Sequence, residues 1–315
     1  MSLIVASQME PGFNDSLVQH PIRPTIIPVP EDTPWKVADK ADVLIVRPSP
    51  HWFASHGKDR PDIWPGRLRW VYSASAGVDF YPDWLLDAPL VTCARGVASE
   101  EIADYVIASI YSRAKNLEAV AVRSRAEWKS VPLGRVIGTT VGLIGFGAIG
   151  EAVGRKALAL GAQVVAARRG ATPSSVKGVQ LLPTVEEVVA TSDHFVIAVP
   201  ATPQTHHLVD AALLAKARPS AHLINVARGS VVDQTALLAA LDAGVLEFAT
   251  LDVTDPEPLP DGHPLYTHPR VRLTPHVSSN YTAVRHRLLE KIGSDLTRFA
   301  RGEQPSDIVE RDRGY

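Results

Sequence analysis

Six residues, Gly145-Phe146-Gly147-Ala148-Ile149-Gly150, stand between an apolar run and a helical pattern, and they restrict the fold more than any other stretch of the chain. Thr139-Thr140-Val141-Gly142-Leu143-Ile144 before them reads as a buried strand. Ile149, Val153, Ala157 and Leu160 after them recur at helical spacing and mark one apolar helix face. In such a strand–turn–helix the first glycine permits a tight turn, the second lets the backbone approach a pyrophosphate, and the third lets helix and strand pack closely. Gly145, Gly147 and Gly150 hold those three places, with Ala148 and Ile149 opening the helix. Unbonded N–H groups and the dipole at that helix N-terminus favour an anion. Glycine-rich turns are common, so the flanking strand and helix carry the reading. They point to a dinucleotide site at Gly145, Gly147, Ala148, Ile149 and Gly150.

A chain of 315 residues is long for one domain, and two are expected. A net charge of −2 gives no electrostatic reason to expect nucleic acid or an anionic membrane as a partner. Cys93 is the only cysteine, which excludes an intramolecular disulfide and argues against a thiol metal site, so no metal is expected. The first seven residues lack the basic start of a secretory signal. No apolar run approaches the roughly 18 residues of a membrane span. A cytoplasmic protein is the expectation.

Two blocks of alternating strand and helix patterns follow one another. The first has short apolar runs at 3–6, 25–29, 43–46, 70–73 and 90–93, punctuated by Pro21, Pro24, Pro28, Pro30, Pro34, Pro48 and Pro50. Its loops should be stiff and its elements short. A long helix is expected from Ser99 as N-cap, with Glu100 and Glu101 in the first turn. Ile102, Tyr105, Val106, Ile110 and Leu117 lie along it, and it should end before Pro132. The second block has six strand candidates, at 140–144, 163–167, 194–199, 222–226, 247–252 and 271–274, with helical patterns between them that include 211–217 and 234–241. This alternation predicts a parallel doubly wound sheet. A last helix at 282–299 is expected to return to the first block, because the second sheet is already complete.

In a doubly wound sheet, ligands bind beyond the carboxyl ends of the strands. Gly145, Arg168-Arg169, Val199-Pro200, Ala227-Arg228-Gly229, Asp252 and Pro275-His276 fall in turn at the six strand ends. Two of these residues, with Glu257 from the loop after the fifth strand, suit hydride transfer to a 2-keto acid. Arg228 offers a bidentate fork for a carboxylate. His276 can act as acid and base near neutral pH. Glu257, in the proline-rich loop after the fifth strand, can orient the imidazole and favour its protonated form. Singly these residues read as well as a solvated cation, a turn histidine and a surface acid. Together at adjacent strand ends they favour catalysis.

The chain resembles the D-isomer-specific 2-hydroxyacid dehydrogenases, the family of glyoxylate/hydroxypyruvate reductases and D-3-phosphoglycerate dehydrogenase. The stretches that carry the resemblance begin with Ser75-Ala76-Gly77-Val78-Asp79 and Ala98-Ser99-Glu100-Glu101-Ile102-Ala103-Asp104-Tyr105. They continue through the glycine turn, Ile224-Asn225-Val226-Ala227-Arg228-Gly229, Leu251-Asp252-Val253 and Leu273-Thr274-Pro275-His276. The resemblance implies an α/β fold of two doubly wound parallel-sheet domains. Residues 1–98, completed by 284–315, would form a flavodoxin-like substrate domain, and 99–283 a Rossmann NAD(P)-binding domain. It implies Arg228, Glu257 and His276 as catalytic residues. Backbone N–H groups around Ala76, Gly77 and Val78 would join Arg228 in binding the substrate. Asp252 would meet the nicotinamide carboxamide, and Val199, Pro200, Thr205, Val226 and Ala227 would line the cofactor cleft. The long helix from Ser99 would support a homodimer.

One departure from the family carries information. An acid often ends the second cofactor strand, where it binds the ribose hydroxyls of NAD and repels a 2′-phosphate. Arg168 and Arg169 stand there in this chain, with no acid before Glu186. Two cations favour NADP(H), with NAD(H) left open. The loop Val277-Ser278-Ser279-Asn280 differs from the small residues or Trp common in the family, so the 2-keto acid stays unnamed. The ending Arg313-Gly314-Tyr315 resembles the glyoxylate/hydroxypyruvate reductase branch. Arg47 reads equally as a substrate contact or a peripheral cation, while Trp52 and Phe53 read as core. Two other readings stand beside the reductase: a phosphite- or formate-type dehydrogenase on the same fold, and a dinucleotide-sensing interaction protein. Glu257 weighs against formate, whose dehydrogenases carry glutamine as the partner of the histidine.

Overall fold

Short apolar runs broken by prolines become short parallel strands in the first part of the chain. The computed structural model describes residues 3–37, 39–55, 59–170, 173–310 and 313, so Gly314 and Tyr315 of the C-terminal cue lie outside the described residues. The described chain groups into two compact units, Met1–Val97 with Tyr281–Tyr315, and Ala98–Asn280.

The first unit runs β1 (Ile4–Ser7), α1 (Pro11–Val18), β2 (Thr25–Pro28), β3 (Val43–Val46), α2 (Pro50–Ser55), β4 (Trp70–Ser73), α3 (Asp83–Leu86) and β5 (Val91–Cys93). These five strands pair in parallel in the order β2-β1-β3-β4-β5, which is the flavodoxin-like order, and Thr92 of β5 adds an antiparallel bridge to Ile308. One face is covered by Trp52, Trp64, Trp84 and Tyr81, packed on Leu44 and Val46. Trp52 is fully buried and gives its indole N–H to Gln8 Oε1 at 3.0 Å. Phe53 corrects the expectation of a core residue, for it is 59% exposed and stacks on Phe80. A helix turns about 100° per residue, so Trp52 and its neighbour cannot both face inward.

The second unit runs α4 (Ser99–Lys115), β6 (Thr140–Ile144), α5 (Ala148–Ala159), β7 (Gln163–Ala167), β8 (Val179–Leu181), α6 (Val185–Thr191), β9 (His194–Ile197), α7 (Ala211–Leu214), β10 (His222–Asn225), α8 (Gln234–Asp242), β11 (Phe248–Leu251) and β12 (Val271–Leu273). The chain then returns to the first unit as α9 (Tyr281–Ala300). Seven parallel strands lie in the order β12-β11-β10-β9-β6-β7-β8, so the strand order reverses between β6 and β9. Alternate strand residues serve two cores. Val141, Leu143, Val196 and Ile224 face the layer of α4 and α5, while Ile144, Phe195, Ile197 and Leu223 face the other side. A sheet buried on both faces explains why its strands read as continuous apolar runs.

Two features differ from the pattern expected of the sequence. Ser99 is the first helical residue of α4 and not its cap, since the N-cap is Ala98. The helix stops at Lys115, where Asn116 takes a left-handed conformation at φ 39°, and Leu117 beyond it is 68% exposed. Acidic Glu100 and Glu101 at its start and basic Arg113 and Lys115 at its end complement the helix dipole. The second difference is β8, a seventh strand beyond β7. Near the amino ends of the central strands lies a buried polar chain. His194 Nδ1 is 3.3 Å from His222 Nδ1, and His222 Nε2 is 2.8 Å from Thr250 Oγ1. Burial pushes the His194 imidazole down to about 4, and burial with the neighbouring His194 holds His222 well below the usual range.

Candidate active site

The glycine turn falls between β6 and α5, at the place where the strand order reverses and where open α/β sheets hold ligands. Gly145 has φ +98°, and a Cβ there would lie 2.5 Å from the carbonyl oxygen of Ala198. A Cβ on Gly150 would lie 2.5 Å from the oxygen of Gly145, so turn and helix meet without side chains. Nothing lies within 4 Å of the Cβ position at Gly147, which caps α5 and leaves its backbone open to a ligand. Glu151 N to Gly147 O is the first bond of the helix, so the amides of Ala148, Ile149 and Gly150 are its N-terminal donors. A pyrophosphate fits this cradle.

The neighbouring strand ends bring the other expected residues to the same edge of the sheet. Arg168 and Arg169 follow β7; Arg168 is half-buried and donates to Pro173 O at 3.1 Å, while Arg169 is exposed. Val199 and Pro200 follow β9, and Thr205 closes their loop by donating to Pro200 O at 2.6 Å. Val226 and Ala227 are buried just past β10. Arg228 comes next, its guanidinium donating to Ala227 O at 2.9 Å. In the first unit, Ala76, Gly77 and Val78 follow β4, with Ala76 exposed and Val78 buried. Arg47, past β3, is ion-paired with Glu31.

His276 and Glu257 meet directly. His276 Nδ1 lies 2.7 Å from Glu257 Oε1, with both side chains more than two-fifths exposed. An ionised carboxylate only accepts, so Nδ1 carries the proton of this bond and Nε2 is left for a second partner. Burial acts to raise the Glu257 carboxyl. The hydrogen bond and charge of His276, a backbone contact with Thr254 and the Arg228 charge outweigh it and hold Glu257 below its ordinary range. Beside the pair opens a cavity of about 890 Å³, lined also by Asp252, Thr254, Pro258 and Thr274.

Two buried residues shape these loops. Asn225, expected only as part of a family stretch, accepts from Ala227 N at 3.0 Å and donates to Arg228 O at 2.9 Å. The signal available in the sequence is a lone amide interrupting the apolar run Leu223-Ile224-Asn225-Val226. Asp252, 1% exposed, accepts from Thr274 Oγ1 at 2.7 Å and from the amides of Val277 and Ser278 at 2.8 Å each. Three of its roughly four acceptor positions are thus used within the loop that carries His276. Gly229, after Arg228, leaves no space for a side chain, since a Cβ there would lie 1.9 Å from the carbonyl carbon of Thr254.

A parallel sheet with a glycine turn at its switch point and an anion cradle at the following helix defines a dinucleotide-binding enzyme fold. The pattern of the D-isomer specific 2-hydroxyacid dehydrogenase NAD binding domain matches residues 107–278. The chain is 29% identical over 295 residues to glyoxylate/hydroxypyruvate reductase A of Serratia proteamaculans, covering 89% of this chain and 90% of that protein. It is 34% identical over 232 residues to the glyoxylate reductase of Korarchaeum cryptofilum, covering 70% and 69%. A D-isomer specific 2-hydroxyacid dehydrogenase from Xanthobacter autotrophicus, solved in complex with NADPH, matches with a TM-score of 0.84 at 27% identity over the whole of both chains. The chain belongs to the D-isomer specific 2-hydroxyacid dehydrogenase family, and its activity class is that of an NAD(P)-dependent dehydrogenase.

Among the described residues no group of three or more His, Cys, Asp or Glu could hold a metal ion, and no helix is long and apolar enough to cross a membrane.

Proposed function

We propose that this protein reduces a small 2-keto acid of the glyoxylate or hydroxypyruvate kind to the D-2-hydroxy acid, with NADPH preferred over NADH. The observation that carries the reading is the His276–Glu257 pair at 2.7 Å, on the sheet edge that also bears the glycine turn and Arg228. A dinucleotide held at the Gly145–Gly150 turn would supply the hydride from its nicotinamide. Arg228 holds the substrate carboxylate through its fork and polarises the keto group. His276 gives its Nε2 proton to the carbonyl oxygen as that oxygen gains charge. Glu257 keeps the ring oriented through Nδ1 and stabilises the imidazolium before transfer. In the reverse direction His276 takes the proton back. Asp252 has one acceptor position left for the carboxamide.

The cofactor preference rests on β7, which ends in Arg168 and Arg169 where an acid would exclude a 2′-phosphate. The relative from Xanthobacter autotrophicus, a full-length match, was solved with NADPH. Large apolar side chains exposed after α4, including Leu117, Trp128, Val131 and Ile137, support a homodimer built on this region. Sedimentation equilibrium tests it, and a monomer at micromolar concentration would refute it.

The decisive assay is a panel of glyoxylate, hydroxypyruvate, pyruvate and phenylpyruvate, each with NADPH and NADH at one salt concentration, with chiral analysis of every product except achiral glycolate. Turnover to a D-hydroxy acid with a higher kcat/KM for NADPH is the expected outcome. A panel blank with both cofactors would favour a dinucleotide sensor, and an L product would refute the stereochemical assignment.

A further inference from the structure

The loop that carries His276 is held by more than the Glu257 contact. His276 itself has φ +51°, a left-handed conformation that a non-glycine residue keeps only where its surroundings impose it. Its amide donates to Asp252 O at 2.9 Å, and the Asp252 carboxylate grips the chain on both sides, at Thr274 before it and at Val277 and Ser278 after it. This grip has an outer member. Tyr105, on α4, has its hydroxyl 2.6 Å from Thr274 Oγ1.

The direction of these bonds follows from the chemistry. The Asp252 carboxylate only accepts, so the single hydroxyl proton of Thr274 goes to Asp252, and Tyr105 must donate to Thr274. Burial, with the Asp252 charge adding to it, raises the Tyr105 phenol above its ordinary range, so the phenol stays a donor throughout the working pH range. We propose that Tyr105 and Thr274 are positioning residues for the acid–base histidine, acting through Asp252, so that α4 helps to set the place of His276. The proposal rests on the reading of His276 as the proton donor. Neither residue touches the reacting atoms. The plainer role, a simple tie between α4 and β12, would hold the helix in place without governing the imidazole.

The test uses the full chain with isotope-labelled histidine. The His276 Cε1–H resonance is assigned by its loss in His276→Gln, and this readout needs no substrate. Thr274→Val should move that resonance and lower kcat by about 10-fold, a fraction of what a larger misplacement of a reacting group costs. KM for the 2-keto acid should change much less. Thr274→Ser keeps the hydroxyl and should restore both readouts. Tyr105→Phe should move the resonance the same way and lower kcat by about threefold, the worth of one neutral hydrogen bond. The double variant Tyr105→Phe/Thr274→Val should be no worse than Thr274→Val alone, because the outer bond acts only through the inner one. A wild-type resonance and kcat in Thr274→Val would overturn the proposal, as would a Thr274→Ser variant as impaired as the valine. Fully additive effects in the double variant would do the same. Should the wild type reduce no 2-keto acid, the proposed function fails while the resonance arm still decides the positioning role.

Discussion

The unit formed by residues 1–97 and 281–315 covers its sheet with Trp52, Trp64, Trp84 and Tyr81, whereas the cores of the unit of 98–280 are mainly Val, Leu, Ile and Ala, with Phe146 and Phe195 among them. Both are parallel and doubly wound, so topology does not explain the contrast. In the first unit large rings supply much of the buried area. In the second unit α5 lies close enough to β6 for Gly145 and Gly150 to touch, with the Phe146 ring packed beside Gly150 and Gly154. The chemistry divides in the same way. Past β3 the first unit has an Arg47 already paired with Glu31, while the second lines up Arg228, Asp252, Glu257 and His276. One unit invests its large side chains in its core, the other its polar ones in an edge.

That division can be broken experimentally. His276→Ala should lower kcat by about 10²–10⁴, the range expected for a positioned general acid, with an unchanged urea midpoint. Near wild-type turnover in single-turnover experiments would remove the histidine from the reaction. Trp52→Ala should do the opposite and cost about 3–5 kcal/mol of stability, since it empties the aromatic layer and takes from Gln8 Oε1 one of its two donors, the other being the Arg47 amide. A urea midpoint within error of wild type would show that the rings of the first unit are dispensable filler.

Arg168→Asp probes the edge of the second unit more gently. The ratio of kcat/KM for NADPH to that for NADH should fall by about 10-fold or more, as a charge-assisted contact becomes a repulsive one. An unmoved ratio would leave both arginines as solvent-facing cations. The smallest effect is expected from the buried histidines. In the folded chain His194 titrates at about 4 and His222 lower than usual, while in the unfolded chain both protonate near 6.5. Below about 6.5 the unfolded state therefore binds more protons, so stability is present above that pH and declines as pH falls toward 4. The urea midpoint should drop between pH 7 and pH 5, and His222→Asn should flatten the drop. Parallel curves for variant and wild type would place the acid sensitivity elsewhere.

Much of this fold was legible in local pattern. Strong apolar runs such as Thr140–Ile144 and Gln163–Ala167 coincide with strands, because a sheet buried on both faces leaves no polar interruption. Other features depend on contacts that no local window contains. β8 is three residues long and only half-buried, too weak a signal for an edge strand. The end of α4 is set by the left-handed Asn116 rather than by Pro132. At the candidate site, residue types and order brought Arg228, Glu257 and His276 to neighbouring strand ends. The tie of Tyr105 to Thr274 spans 169 positions, and nothing local announces it.

Gly229 carries a consequence for anyone who would redesign this enzyme. With the Thr254 carbonyl carbon 1.9 Å from where its first side-chain atom would begin, the loop bearing Arg228 and the loop leading to Glu257 are keyed into each other like parts of one casting. Mutant libraries aimed at new substrates must keep Asp252, Glu257, Thr274 and His276, which themselves line the pocket. Any library that randomises position 229 will be dominated by proteins in which both working loops have been prised apart at once.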